Sequence, residues 1–413
     1  MAKKVLIKNI DKIVSGDLKK GIVPGDAVLI EDGLISGVGF ESQLDTKDVG
    51  KIVDANGSVT IPALIDSHVH PWLEDYCPSA GNISRWMEGN LSTGVVTLIA
   101  AEVNRLGTVK DPIYVKSLAL LAHKKWKAYK PGGYQKVEAG AIIYVDGLTE
   151  QDFKELADQG LFLIAEAGCT GIADPQKIKQ YVTWSKKYNM IVSVHCGGVS
   201  TTDATATSYN MMKEIKPHVF AHLNGGPTAM PMEDCRKAVT ELDGALEMSW
   251  NGNPMMMYEI MEFIKEKDQL HRVIIGSDSP TGLGYSAFAI HNVIQRISSL
   301  NKIPAQDVIA MATGNTADVF RLNRGKIEVG KEADILIIDC PPDSVGDDAL
   351  KAIEIGDQPA ISMVMVNGHI IAVWGRATRA PKRKIRIDGV TQPDHKLSFE
   401  EYILGPNAFF REF

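Results

Sequence analysis

The feature that most constrains this chain is a series of eight apolar, strand-like segments that alternate with amphipathic, helix-like ones. The segments are Ile61–Ile65, Val95–Ala100, Val137–Val145, Leu161–Ala165, Ile191–Val194, Val219–Ala221, Ala245–Trp250 and Val273–Ile275. Strands that are apolar along their whole length are buried on both faces, as in parallel sheets covered by helices. Eight such strands, each followed by a helix, predict an α/β fold, a closed (β/α)₈ barrel of the TIM type.

An open, doubly wound sheet is the alternative arrangement for alternating strands and helices. Such a sheet usually carries a glycine-rich phosphate loop directly after its first strand. The segment Ile61–His70 contains no loop of that kind. The pattern therefore favours the closed barrel.

Both ends of the chain have a different texture, with short alternating strands and tight turns. Asp32-Gly33 predicts a two-residue hairpin turn near the N-terminus, and Asn367-Gly368 lies in similar surroundings near the C-terminus. Flanks of matching type around an inserted unit predict one small β-sandwich domain formed from both chain ends. We expect residues 1–59 and 322–378 to form this sandwich, residues 60–321 the barrel, and residues 379–413 a C-terminal tail whose basic cluster is a solvated surface segment.

Composition restricts the kinds of partner. The chain has 44 Lys and Arg against 51 Asp and Glu, a formal net charge of −7, which does not favour nucleic acid or an anionic membrane surface. No apolar run approaches the roughly 20 residues that span a bilayer, and the first apolar stretch is too short for a signal peptide. Five cysteines, an odd number, give no disulfide framework. We expect a cytoplasmic globular protein with a small-molecule partner.

Two histidines end the first predicted barrel strand, in the segment Asp66-Ser67-His68-Val69-His70. Alternate side chains of a strand share a face, so His68 and His70 point the same way. The carboxyl end of a barrel strand is also where enzymes of this fold place their catalytic groups. Two neighbouring imidazoles at such a place are suitable ligands for zinc or iron.

Later strands end in residues of the same kind. Apolar strands lead into Glu166, His195 and His222, and the eighth strand leads into Asp278. A carboxylate at a buried strand end must be ion-paired, protonated or metal-bound, because burying it bare is costly. A structural ion pair would explain one such residue, whereas converging residues from five strand ends favour a metal centre. The predicted ligands are His68, His70, Glu166, His195, His222 and Asp278.

Six ligands exceed what one four-coordinate ion with an open position can use, so the sequence predicts two divalent ions. A carboxylate such as Glu166 can bridge two ions roughly 3.5–4 Å apart that share a hydroxide. Asp278 is the predicted catalytic residue, taking the proton of the attacking water and delivering it to a leaving nitrogen. The predicted assignment puts His68, His70 and Asp278 on one ion, and His195 and His222 on the other.

Five further residues are weaker candidates for substrate contacts, namely Trp72, Tyr76, Ser200, Thr201 and Asn224. Trp72 and Tyr76 would wall the pocket or belong to the core. Ser200 and Thr201 precede a helix start whose N–H groups attract anions, although plain helix capping explains them as well. Asn224 lies in a tight glycine-containing turn that would face substrate or serve backbone geometry alone.

The pattern resembles the amidohydrolase superfamily over nearly the whole chain. The resemblance rests on Ile61–His70 and on Gly330–Asp334, and it implies a barrel with a sandwich of both termini and metal ligands at the six positions above. His195–Gly198, His222–Ala229 and Ala312–Asn315 look closer to the enamidase branch, which acts in bacterial nicotinate degradation. That branch implies a binuclear centre with zinc and iron in a homo-oligomer, specifically a tetramer.

The leading functional hypothesis is hydrolysis of a lactam-like cyclic amide, in which a metal-bridging hydroxide attacks the ring carbonyl. If the released nitrogen is an enamine, tautomerisation to an imine would allow a second hydrolysis that releases ammonia. Deamination of a nitrogen heterocycle, or an imidazolonepropionase-like hydrolysis, is the runner-up. A non-catalytic assembly protein of the superfamily would have lost its ligands, whereas all six stand here. The sequence therefore predicts a hydrolase of carbon–nitrogen bonds.

Overall fold

The computed structural model describes residues 4–71, 86–87, 89–101, 110–128, 134–169, 171–199, 206–226, 228–280, 284–374 and 378–392. Its strands in chain order are β1 (Lys4–Lys8), β2 (Lys12–Val14), β3 (Ile22–Val23), β4 (Ala27–Glu31), β5 (Leu34–Gly39), β6 (Lys51–Asp54), β7 (Val59–Pro62), β8 (Leu64–Val69), β9 (Val95–Ala100), β10 (Lys136–Glu138), β11 (Leu163–Ala167), β12 (Ile191–His195), β13 (Val219–Ala221), β14 (Ala245–Ser249), β15 (Val273–Gly276), β16 (Ile335–Asp339), β17 (Ala360–Val366), β18 (His369–Val373), β19 (Arg386–Ile387) and β20 (Val390–Thr391). The α-helices are α1 (Pro112–Lys127), α2 (Glu150–Asp158), α3 (Pro175–Lys187), α4 (Tyr209–Ile215), α5 (Met232–Glu241), α6 (Pro254–Glu266), α7 (Ala289–Asn301), α8 (Ala305–Met311), α9 (Gly314–Phe320) and α10 (Ala349–Glu354), with short 3₁₀ helices at Glu41–Gln43 and Leu270–Arg272.

Strands β8 to β15 form two parallel sheets in the middle of the chain. One sheet has the order β10-β9-β8 and the other the order β11-β12-β13-β14-β15. Isolated parallel bridges join the two sheets, between Ile142 and Ile164 on one side and between Val69 and Ser279 on the other. All pairings within both sheets are parallel, so the carboxyl ends of these strands lie at one common edge.

Helices α1 to α6 alternate with strands β9 to β15, as the amphipathic stretches predict. Three of them begin with proline at the first turn, preceded by the caps Asp111, Asp174 and Asn253. Each cap side chain accepts a hydrogen bond from a backbone N–H of the first turn, and proline lacks only an N–H that has no partner inside the helix. The local sequence therefore determines where these three helices start. Each of them leads the chain to the next parallel strand.

Two further sheets are built from both ends of the chain. Their orders are β20-β19-β6-β1-β4-β5 and β18-β17-β16-β7-β2-β3. Side chains from both sheets, including Ile7, Ile30, Ile335 and Met363, belong to one cluster of fully buried residues. The prediction that strands of the two chain ends associate is confirmed. The predicted turn at Asp32-Gly33 is also confirmed, since both residues have positive φ, 51° and 80°, between β4 and β5.

The first predicted barrel strand, Ile61–Ile65, is wrong in its bounds. Val59–Pro62 pairs with Ile335–Asp339 in a terminal sheet, and the chain enters the parallel sheet only at Leu64–Val69. An unbroken apolar run cannot show where a chain passes from one sheet to another, because both environments are buried. The join between the two parts of the fold thus lies at Ala63, within the segment that the sequence assigns to the barrel.

The third predicted strand, Val137–Val145, is shorter in the structure. Lys136–Glu138 is a strand, and beyond it Ile142 makes only an isolated bridge. Gly140 lies between them with φ 105°, a backbone conformation that side chains rarely allow, and this interrupts the strand.

Part of the C-terminal segment is held in the fold, although Arg379, Lys382, Lys384 and Arg386 of its basic cluster are exposed, as expected for a solvated surface segment. Arg386–Ile387 pairs with Lys51–Asp54. The Arg383 guanidinium binds the carboxylate of Asp339, a residue with no exposed surface, with Nε 3.0 Å from Oδ1.

Among the described helices, none has the length and apolar character needed to cross a bilayer.

Candidate metal centre

Six titratable side chains meet where the carboxyl ends of the parallel strands come together. They are the six predicted ligands, and each is buried, with at most 4% of its surface exposed. His68 and Glu166 lie within β8 and β11, and His195 ends β12. His70 and His222 directly follow β8 and β13, and Asp278 lies two residues beyond the end of β15. Parallel pairing therefore brings together residues that are far apart in the sequence.

The first group consists of His68, His70 and Asp278, whose ligand atoms all lie within 4.8 Å of one another. The two histidine Nε2 atoms are 3.1 Å apart, and His70 Nε2 lies 3.0 Å from Asp278 Oδ1. Two imidazole nitrogens and a carboxylate oxygen that face one point form a donor set that suits a divalent transition metal.

The second group consists of Glu166, His195 and His222, again with ligand atoms within 4.8 Å of one another. Glu166 Oε1 lies 2.7 Å from His222 Nε2 and 3.5 Å from His195 Nδ1. His195 uses its other nitrogen, Nε2, to donate a hydrogen bond to the carbonyl of Gly198 at 2.8 Å. That bond leaves the lone pair of a neutral His195 on Nδ1, directed toward the group.

Glu166, a member of the second group, also faces the first group. While Oε1 contacts the second group, Oε2 lies 3.5 Å from His68 Nε2 and 4.0 Å from His70 Nε2. A carboxylate with one oxygen toward each group has the geometry of a bridging ligand for two metal ions.

The backbone is held in an unusual conformation at two of the six positions. His222 has φ 34° and Asp278 has φ 56°, in the left-handed region that residues with side chains seldom adopt. Such strain persists only where surrounding structure enforces it, and it concentrates at functional sites. At Asp278 the backbone N–H donates to the carbonyl of His68 at 2.8 Å, which fixes the carboxylate beside the first group.

The electrostatics of the pocket favour positive charge among its carboxylates. Burial alone would raise the pKa of Glu166, but charge on His68 and His222 outweighs it and holds that pKa well below its ordinary value. The pKa of Asp278 is lowered in the same way, against burial, by a hydrogen bond from His70 and by the neighbouring imidazoles. A divalent cation supplies the same positive charge, so the six residues fit a metal centre.

The sequence prediction missed one residue of this pocket, Glu247 on β14. Its carboxylate is 1% exposed, and Oε1 lies 2.8 Å from His68 Nδ1. The available signal was a charged residue in the middle of an otherwise apolar predicted strand, Ala245–Trp250. A carboxylate partner is what a metal-bound histidine commonly has on its second nitrogen.

The predicted substrate contacts are a different matter. Trp72, Tyr76, Ser200 and Thr201 lie outside the described residues. Asn224 is fully buried, and its amide holds the end of β14: Oδ1 accepts from the N–H of Ser249 at 2.8 Å, and Nδ2 donates to the carbonyl of Ser249 at 2.9 Å. These bonds give Asn224 a role in the fold, and its contact with substrate stays a prediction.

Comparison with known proteins supports the assignment made from the sequence. The amidohydrolase family matches residues 257–371. The enamidase of Eubacterium barkeri is 37% identical over 385 residues, which are 93% of this chain and 99% of that protein. A crystal structure of enamidase, described as a new member of the amidohydrolase superfamily, aligns with a TM-score of 0.88 over 93% of this chain and 100% of that one.

More distant relatives include a 5'-deoxyadenosine deaminase of Methanosphaera stadtmanae, 22% identical over 81% of this chain and 84% of that protein. A probable imidazolonepropionase of Danio rerio is 24% identical over 78% of this chain and 84% of that protein. The predicted family is thus confirmed by a relative that aligns with 93% of this chain. The fold of this superfamily combines a TIM barrel with an extra domain, its members use divalent metal centres, and this chain has candidate ligand groups for such a centre. This chain is a member of the amidohydrolase superfamily.

Proposed function

We propose that this chain is a metal-dependent hydrolase that opens a cyclic amide of the kind an enamidase uses. The observation that carries this proposal is the position of Glu166, with one oxygen toward each of two buried ligand groups. The likeness to enamidase along the whole chain supports the choice of a cyclic amide over other substrates of the superfamily.

The proposed centre takes two divalent ions, with zinc and iron as the candidate metals. His68, His70 and Asp278 would hold one ion, His195 and His222 would hold the other, and Glu166 would serve as the shared ligand. When bound, the ions supply an activated water and polarise the carbonyl of the substrate.

Within this proposal, Asp278 moves the proton. Its carboxylate is held by His70 and by its own backbone at the meeting point of the strand ends. Its ionised carboxylate can accept a proton from the attacking water. Asp278 then delivers this proton to the ring nitrogen as the carbon–nitrogen bond breaks. If that nitrogen is an enamine, its imine tautomer is hydrolysed in turn and ammonia leaves.

We also propose that strands β8 to β15 close into one (β/α)₈ barrel and that the two terminal sheets pack as a β-sandwich. The bridges Val69–Ser279 and Ile142–Ile164, on opposite sides of the parallel sheets, support closure. The shared buried cluster of the terminal sheets supports the sandwich. The sequence predicts units of residues 1–59 with 322–378, residues 60–321, and a tail from 379 to 413, and we propose the same units with the first join moved from residue 60 to Ala63.

Deamination of a heterocycle is the second candidate, favoured by the deaminase among the more distant relatives. The two candidates differ in the bond that breaks, since deamination removes an exocyclic amine and leaves the ring closed. A carboxylate shared by two ligand groups argues against it, because such deaminations need one metal ion only.

A substrate panel tests the proposal. Purified protein loaded with zinc or iron is incubated with cyclic amides, including cyclic enamides, and with aminated heterocycles, and the products are identified by mass spectrometry. We expect simple cyclic amides to give ring-opened products that gain one water, and cyclic enamides to take up a second water and release ammonia. Turnover of the aminated heterocycles alone would replace the proposal with a deaminase, and no turnover of any member by metal-loaded protein would overturn both.

A further inference from the structure

Glu247 occupies a place at which one side chain touches both ligand groups. Its Oε1 lies 2.8 Å from Nδ1 of His68, a member of the first group. The same oxygen accepts a hydrogen bond at 3.0 Å from the backbone N–H of His222, a member of the second group.

The contact with His68 decides which imidazole nitrogen is available to a metal. A carboxylate oxygen only accepts hydrogen bonds, so in neutral His68, the form that binds a metal, Nδ1 carries the hydrogen and Nε2 carries the lone pair. Nε2 is the atom that faces His70 and Glu166. Glu247 thereby fixes both the tautomer and the ring orientation that ligation requires.

The contact with His222 acts on the backbone. With φ 34°, His222 lies in a strained conformation that persists only when its surroundings enforce it. A hydrogen bond from a buried N–H to a carboxylate is among the stronger hydrogen bonds in proteins, and it offsets this strain. The bond holds His222 so that its Nε2 reaches Glu166 at 2.7 Å.

Two neighbours hold Glu247 itself. The hydroxyl of Ser67 donates to Oε2 at 2.9 Å, which fixes the rotation of the carboxylate. Gly276 leaves the space that this arrangement needs: a Cβ there would lie 2.7 Å from His68 Cβ, 2.8 Å from Ser67 Oγ and 3.1 Å from Glu247 Cδ. Any side chain at position 276 would therefore displace the contact between Glu247 and His68.

We propose that Glu247 is the positioning residue of the metal centre. It holds one histidine of each ligand group in the orientation that metal binding requires. It touches neither ion nor substrate and acts through His68 and His222. This inference rests on the proposed function, because it assumes that the two groups bind metal. Its consequence is specific: loss of Glu247 weakens the binding of both ions, whereas loss of one ligand weakens mainly the binding of the ion that this ligand would hold.

Zinc binding to the full-length protein tests the inference without reference to turnover. Zinc per chain is measured by mass spectrometry, and zinc affinity by competition with a chelator, for wild type, Glu247→Leu and Glu247→Gln. We expect Glu247→Leu to weaken zinc binding by about 10–100-fold at both sites, as loss of such a partner commonly does. Glu247→Gln keeps an acceptor for His68 and His222, so it should bind zinc more tightly than Glu247→Leu.

Two further variants keep the test decisive. Gly276→Ala removes no polar group but crowds His68, Ser67 and Glu247, so it should disturb the contact between Glu247 and His68 and weaken zinc binding in the same direction. Glu138→Gln is the control for the Glu→Gln change. The Glu138 carboxylate is not part of the metal centre and accepts a hydrogen bond from Arg324 at 3.1 Å, so this variant should bind zinc like wild type. A merely structural role would lower the melting temperature of zinc-free Glu247→Leu with zinc affinity unchanged.

The outcomes separate this inference from the proposed function. Zinc affinity and stoichiometry of Glu247→Leu equal to those of wild type would overturn the inference and leave the metal centre intact. Should Glu247→Leu not fold, the comparison passes to Gly276→Ala and Glu247→Gln, and wild-type affinity in both would overturn it equally. Wild-type protein that binds no zinc would instead overturn the proposed function, on which the inference rests.

Discussion

Oδ1 of Asp278 lies 3.0 Å from Nε2 of His70, although 208 residues separate them in the chain. Backbone hydrogen bonds on both sides maintain this relationship: Asp278 N–H donates to the carbonyl of His68, and His70 N–H donates to the carbonyl of Ser279, each at 2.8 Å. The carboxylate is thus placed by the pairing of the first and last parallel strands. It does not depend on a mobile loop for its position.

The first prediction concerns the proton that Asp278 is proposed to move. Asp278→Asn keeps the shape of the side chain and tolerates the positive φ, but the amide cannot take a proton. We expect kcat to fall by about 10²–10⁴, with KM for the cyclic amide changed little. Steady-state kinetics of the metal-loaded variant measure both.

Asp268→Asn is the matched control, since Asp268 is exposed and also has positive φ, 55°. It should turn over substrate like wild type. If Asp278→Asn turned over like this control while carrying normal metal, another group would have to move the proton.

The second prediction concerns metal content. Wild type should carry about two divalent ions per chain, and His195→Ala or His222→Ala should leave about one, held by the first group. Metal analysis of protein purified without chelators gives these values. His271→Ala, at an exposed histidine, should keep both ions. The metal centre would be refuted by wild-type protein that has no bound metal and is not activated by added zinc, iron or manganese.

The convergence of the six residues could be predicted because parallel strands place their carboxyl ends at one edge. Each predicted ligand follows or ends an apolar segment, so their convergence requires only that the strands be parallel and adjacent, as β12 and β13 are. The sequence also marks local turns such as Asp32-Gly33, because a two-residue hairpin needs residues that accept positive φ.

Other features depend on which strands are neighbours, and a single sequence does not contain that information. Glu247 was missed because its role arises from a contact with His68, 179 residues away. The passage of the chain from a terminal sheet to the parallel sheet at Ala63 is invisible within one apolar run. His195 directs Nδ1 rather than Nε2 toward the ligand group, because Nε2 donates to the carbonyl of Gly198. Only the structure shows the position of that carbonyl.

The third prediction concerns stability at acidic pH and the half-buried His218. Burial, together with charge on Lys186 and Arg321, lowers the pKa of His218 from 6.5 to about 4. Its Nδ1 also accepts a hydrogen bond from the N–H of Val192 at 3.0 Å, which protonation of that nitrogen would break. The folded state therefore binds this proton more weakly than the unfolded state, so stability present above pH 6.5 is lost as the pH falls toward 4.

His218→Asn should reduce this loss, because the Asn Oδ1 can accept the same hydrogen bond but does not titrate. The melting temperature of the variant relative to wild type is measured at several pH values, with both proteins in the same metal state. We expect the melting temperature of the variant to rise relative to that of wild type as the pH falls from 7 to 5. In this interval the His218 side chain takes up a proton in the unfolded state but stays largely neutral in the folded state. His271→Asn, at an exposed position, is the control. A constant difference across the series would mean that His218 does not contribute.

The last prediction concerns Glu166, whose two oxygens face the two ligand groups. Glu166→Gln has almost the same size but offers one neutral oxygen and an NH₂ group that cannot ligate. We expect loss of at least one ion and near-complete loss of turnover, because the negative charge and the link between the groups both disappear. The fold should persist, as shown by a circular dichroism spectrum like that of the control Glu138→Gln. If Glu166 were only one half of a structural ion pair, the same variant would melt at a different temperature with its metal content unchanged. Two ions retained with turnover intact would remove Glu166 from the centre, so metal analysis, kinetics and a melting curve on one preparation decide the matter.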